Sequence, residues 1–199
     1  MPMGAASNFA VLSAAPGGGG AVTCTNSNIS GNVGSSGALA SVTQTNCLIS
    51  GAIIAPVSTQ VIAGFNNAYD QYASVSCTDL LSTAYTGAVL TLTPGVYCNA
   101  EGVTFTDTTL TLDAHGNANA VWVFKIGTGG TGALTGTNFS VLMTNGGQAC
   151  NVYWQVAEAV TMTTSGFQGN ILAGAAITMT GLARFHLQGQ GSRWASSWA

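Results

Sequence analysis

Two stretches of this chain match each other at a fixed offset, and that offset limits the fold more than any other feature. Residues 151–164 align with residues 168–181, 17 positions on. Thr161-Met162-Thr163 falls on Thr178-Met179-Thr180, and Val160 falls on Ile177. A strand rises ~3.3 Å per residue, so 17 residues complete one coil of two or three short strands with corners, and stacked coils lie ~4.8 Å apart. Side chains alternate along a strand. Met162 and Met179 are therefore expected inside a solenoid, with each Thr pair outside as part of a two-column hydroxyl ladder.

Composition narrows what such a solenoid does. Charged residues make up 5% of the 199, and 47% are apolar. A chain that apolar with so little charge is not disordered. Three Lys+Arg give no basic stripe for phosphates, so nucleic acid is not an expected partner. No apolar run reaches a membrane span. The remaining Gly, Ser, Thr and Asn surface suits a secreted β-solenoid, with no signal peptide expected in this stretch, since Met1 to Gly4 looks like a start added to a mature chain. Five cysteines lack the close pairs of a zinc site. Cys24 with Cys47 and Cys77 with Cys98 are nearest neighbours in sequence, but spacing does not fix connectivity. The fifth, Cys150, is either a small buried apolar residue or the partner of a missing sixth.

Along the chain, residues 8–12 alternate as a first strand, and short strands follow at 22–26, 29–33 and 42–45. Between residues 56 and 76 the period changes. Val57, Val61, Ile62, Phe65, Ala68, Tyr69 and Tyr72 recur at 3.6 residues, which predicts one amphipathic helix over about 56–76. Pro56 suits its first turn, Ser58 or Ala55 its N-cap, and Gly64 counts against it slightly. Strands return from residue 90 to 181. Those at 121–126 and 152–156 are apolar at nearly every position, so both their faces should be covered. One cover is the solenoid core, and the helix is the only amphipathic candidate for the other. Trp122 and Trp154 belong to that covered wall and core. The Thr-x-Thr strands fit a wall left bare.

Several stretches are similar to a known family. They are residues 8–12, 29–34, 91–97, 110–114 with 119–124, and 144–156, the last two being long and specific. On them the chain resembles the widespread microbial ice-binding proteins, the antifreeze group shared by bacteria, algae and fungi. The resemblance implies a mostly β fold, a right-handed irregular β-solenoid of triangular section with one long α-helix alongside. It also implies ice as the ligand, bound on a flat face without a cofactor by a monomer. The chain departs from that family at its end. Residues 182–199 lose the Thr alternation and hold Arg184, Arg193, Trp194, Trp198 and His186. One solenoid domain is therefore expected over 1–181, with 182–199 an atypical tail that is frame-shifted or truncated. In that case the last coil is missing and its neighbour is an exposed edge.

The titratable residues form no catalytic constellation. Asp70, Asp79, Glu101, Asp107, Asp113 and Glu158 make no close pair on a strand face, as glycoside cleavage requires. His115 lies in a turn and His186 in the tail, so neither a triad nor a metal site is expected. Single threonines are good strand formers; paired columns on an uncovered wall ask for more. Outward residues ~6.7 Å apart along a strand and ~4.8 Å apart between coils make a grid close to oxygen spacings in ice. The expected contact set is Thr161, Thr163, Thr178 and Thr180, with Thr135 from the preceding coil. Thr23 and Thr25, or Thr104 and Thr106, extend it according to how the N-terminal strands insert. The expected function is adsorption to ice, with thermal hysteresis and slowed recrystallisation, and no enzymatic activity. The alternatives are a secreted adhesin or glycan-binding solenoid, and a polysaccharide-active β-helix enzyme.

Overall fold

The computed structural model describes residues 3–14, 20–181 and 183–186. Three parallel sheets form the walls of a solenoid, and one helix lies along one of them. The first coil holds β1 (Phe9–Ser13), β2 (Val22–Thr25) and β3 (Asn28–Ser30). The second holds β4 (Asn32–Ser35), β5 (Val42–Thr45) and β6 (Leu48–Ile49), and β7 (Ile53–Ile54) closes this block. Helix α1 (Thr59–Ser74) follows. Five further coils then run β8 (Asp79–Leu80), β9 (Ala84–Thr86), β10 (Val89–Leu92); β11 (Gly95–Asn99), β12 (Val103–Thr106), β13 (Thr109–Asp113); β14 (Trp122–Ile126), β15 (Leu134–Thr137), β16 (Ser140–Thr144); β17 (Val152–Val156), β18 (Val160–Thr163), β19 (Gly166–Gln168); and β20 (Asn170–Ala173), β21 (Ile177–Thr180), β22 (Arg184–His186).

Spatial order differs from chain order. The covered wall runs β7-β4-β1-β20-β17-β14-β11-β8, so the N-terminal block stacks on the last coil rather than before the first. Helix α1 carries the chain from that end back to the other, a span of ~24 Å at 1.5 Å per residue. Arg184–His186 pair with β19 on one side and β3 on the other. The solenoid thus passes the expected boundary at 181, and the slot beside β19 is filled rather than left as an edge. The rest of the tail, with Arg193, Trp194 and Trp198, lies outside the described residues.

The helix forms where the 3.6 period lies, within narrower limits. Ser58 is the N-cap, its hydroxyl accepting from the Val61 N–H at 3.4 Å. Pro56 stands ahead of the helix and not in its first turn. Val61, Phe65, Ala68 and Tyr72 are buried against Phe9, Leu12, Val123 and Leu172 of the covered wall. Gly64 is required by contact: a Cβ there would stand 2.9 Å from the Met3 carbonyl oxygen. The helix C-terminus is capped by the wall it covers. Lys125, only 5% exposed, donates from Nζ to the carbonyls of Ala73 (2.9 Å) and Val75 (2.8 Å). Strand β1 is buried at every residue between core and helix, rather than alternating between core and solvent.

Aromatic rings fill the solenoid core. Phe124 stacks on Trp154 at 3.8 Å, and Phe105 on Phe139 at 4.3 Å. Trp122 and Trp154 face inward and donate their indole N–H groups to the Leu92 and Gln168 carbonyls. Gly136 makes room for this packing: a Cβ there would lie 2.6 Å from the Met162 sulfur. Met162 and Met179 are 1% exposed and face the core. The connectivity that the sequence left open is Cys24–Cys47 and Cys77–Cys98. Each bridge ties a terminal coil to the next coil inward. Cys150 is a free, half-buried thiol.

Candidate functional site

A second sheet runs β5-β2-β21-β18-β15-β12-β9 and carries the threonine pairs. Its parallel register sets Thr104, Thr135, Thr161, Thr178, Thr23 and Thr43 side by side in one column, with Ala84 closing it beside Thr104. Two residues on, Thr86, Thr106, Thr137, Thr163 and Thr180 form the second column. Thr25 and Thr45 face each other and extend it by the same register. All nine threonines named from the sequence therefore share one wall. Four that were not named, Thr43, Thr45, Thr86 and Thr137, share it too. Each directly follows a position on the inward side of its strand, Val42, Gln44, Tyr85 and Gly136 in turn, the same Thr-x-Thr or x-Thr signal. Gly136 hides the alternation at Thr135 and Thr137.

The wall's edge is fixed residue by residue. Each of its seven strands is followed by one residue in left-handed backbone: Asn46, Asn26, Gly181, Thr164, Asn138, Asp107 and Gly87, with φ between 48° and 64°. Asn and Gly tolerate that conformation best. The turns repeat at one position in every coil, so the columns stay in line. Asn138 donates to the Asp107 carboxylate at 2.7 Å, and Asn46 to the Asn26 side-chain oxygen at 2.9 Å. One residue further on, the hydroxyls of Ser27, Thr108 and Ser165 return to the carbonyls of Thr25, Thr106 and Thr163 at 2.8–2.9 Å. These bonds hold each corner shut from inside.

The two columns carry no charged side chain. Adjacent hydroxyls also order one another: Thr43 donates to Thr23 at 3.2 Å, and Thr163 and Thr180 lie 3.3 Å apart. Thr23, Thr135, Thr161 and Thr178 are half-exposed, and among the described residues the helix packs on a different wall. The helix covers the first wall, and Thr91, Thr109 and Thr111 belong to the third. That third wall also holds a groove of about 490 Å³ between Leu48, Leu142, Phe167 and Arg184. Among the described residues, no three His, Cys, Asp or Glu side chains converge as a metal site.

Such a solenoid, helix on one wall and an uncharged threonine lattice on another, defines a protein that presents a surface rather than a cleft. The chain belongs to the ice-binding-like family, whose profile matches residues 16–191. It is 37% identical over 182 residues to an ice-binding protein of Nostoc sp. (strain HG1), covering 89% of this chain and 64% of that protein. Its fold is similar to the crystal structure of an ice-binding protein from the Antarctic ascomycete Antarctomyces psychrotrophicus. That match has a TM-score of 0.72 at 28% identity and covers 94% of this chain and 98% of that one. An ice-binding protein from an Antarctic Flavobacteriaceae bacterium gives 0.71 at 31%, covering 95% and 48%. The chain spans less than two thirds of the Nostoc protein, and 9% of ice-binding protein 1 of Shewanella frigidimarina.

Proposed function

We propose that this chain binds ice through the two threonine columns and, by adsorbing, curves the growing ice front, depresses freezing and slows recrystallisation. The observation that carries the reading is the lattice of 13 threonines, in register and without a charged side chain, on a wall that the helix does not cover. Each hydroxyl anchors a water and each methyl orders the waters beside it. Ordered waters bridging two surfaces are nearly as favourable as direct hydrogen bonds. A wall locked by corner bonds loses little entropy on docking. Binding needs no chemical step, cofactor or second chain. The protein acts outside the cell, where its two disulfides persist.

The groove on the third wall favours a second reading, binding of a surface glycan. Partition into a growing ice hemisphere separates the two and tests the site. Wild-type protein should enter the ice, and Thr161→Tyr should be left in the liquid, because a phenol ring holds the wall off the crystal. Equal incorporation of both would remove the threonine columns from the account.

A further inference from the structure

The ends of the solenoid carry a second surface. Five of the seven large apolar side chains exposed among the described residues lie on the two terminal coils. Leu80 and Val89, 76% and 80% exposed, stand at one end. Leu39, Leu48 and Ile54 stand at the other. Among the described residues the core is also less covered there. Tyr85, Leu90 and Leu92 at one end, and Val42, Cys47 and Ile49 at the other, are only half-buried against it. Among the described residues, strands β8, β9 and β10, and likewise β5, β6 and β7, pair on one side alone. Stacked-repeat folds ordinarily close with polar capping repeats, and open edges recruit further strands. These ends are held rigid instead, each by one disulfide to the coil beneath.

We infer that the occupant is a second copy of this chain, stacked head to tail so that the β8–β10 end of one molecule meets the β5–β7 end of the next. The fold contains the template for that junction. Its N-terminal block joins the last coil as a separate piece, with Val22 beside Ile177 and Val11 beside Ile171, and no consecutive chain links them at that seam. Coils of this shape dock in register, with Thr23 beside Thr178 at that internal seam. The two ends are opposite edges of the same parallel ladders, so one fits the other and neither fits itself. The contact is therefore heterologous and propagates. Each end offers only three short strands, well under the ~800 Å² per partner of a stable interface. The chain is thus a monomer when dilute and associates reversibly when concentrated or crowded on a surface. Association also extends the second threonine column, Thr45 to Thr86, while Ala84 interrupts the first, yet the inference stands apart from ice binding because it is read in ice-free solution.

Sedimentation of the intact protein at concentrations up to ~1 mM, where such weak contacts fill, tests it. Wild type should rise in average mass above one chain. The double variant Leu80→Lys/Val89→Lys should stay monomeric, as should Leu39→Lys/Leu48→Lys at the other end. A 1:1 mixture of the two should form dimers and nothing larger, since each retains one working end. These positions are exposed, and circular dichroism verifies that the variants fold. A wild type that stays monomeric throughout overturns the inference. So does a variant that still self-associates, or a mixture that does not pair.

Discussion

Thr164 sits in left-handed backbone with φ 48°, where its counterparts on the other coils are Asn, Asp or Gly. A β-branched residue is strained there, by roughly 1–2 kcal/mol. Thr164→Asn should therefore stabilise the protein by about 1 kcal/mol, seen as a rise in thermal midpoint of ~3 °C for a chain of this size. An unchanged or lower midpoint would mean that the threonine is favoured by contacts outweighing its backbone. Asp113 offers a second test at this scale. The backbone N–H of His115 and the Asn145 amide hold its carboxyl below the usual carboxylate range. A depressed carboxylate adds stability that is full above about pH 4 and lost as pH falls further. The thermal midpoint of Asp113→Asn should therefore fall less between pH 6 and pH 3 than that of wild type. Parallel declines would contradict this assignment. The threonine columns hold no titrating group, so ice activity itself should be flat with pH while the fold lasts. The alternation of Thr161 to Thr163 and Thr178 to Thr180 was readable because Met fills the inward place. Thr137 was not, because Gly136 leaves that place empty for a methionine from the next coil.

Helix α1 was legible as an element, since four turns of apolar spacing have no other reading. Its limits were not. Pro56 fits a first turn on sequence grounds, and only the Ser58 hydroxyl on the Val61 N–H sets the start at Thr59. Its other end depends on Lys125, which is distant in sequence and looks like a polar interruption in an apolar strand. Burial pushes the Lys125 ammonium pKa below the ordinary lysine value, yet its two carbonyl contacts satisfy the helix terminus. Lys125→Met should leave those carbonyls unpaired and cost about 2 kcal/mol. Calorimetry would then show a drop in midpoint of roughly 4–8 °C. Because the helix lies on a different wall from the threonines, thermal hysteresis measured below that midpoint should be unchanged. A loss of activity equal to that of a threonine variant would show the helix wall to be part of the binding surface.

Coil order is a property of the whole molecule and was not legible. Sequence periodicity identifies strands and their inward faces. It does not say that β2 lies between β21 and β5, because that pairing joins segments at opposite ends of the chain. The insertion of the N-terminal block decides how far the lattice runs. Without it, the two columns would end at Thr178 and Thr180. With it, they continue through Thr23, Thr43, Thr25 and Thr45. The same insertion explains the long helix, which returns the chain to the far end of the stack. The expected boundary at 181 failed for a related reason. Arg184–His186 pair with β19 and β3 on the third wall, a placement that no Thr-x-Thr signal marks.

The most direct test is a tyrosine placed in turn on two bare walls, with thermal hysteresis measured at equal concentration. Thr163→Tyr and Thr137→Tyr, on the threonine sheet, should lose activity at least ~5-fold, as truncation or blocking of a central contact residue does. Thr111→Tyr, on the third wall, should match wild type, and all three should keep the wild-type thermal midpoint. Full activity in Thr163→Tyr and Thr137→Tyr, or a loss confined to Thr111→Tyr, would contradict the account.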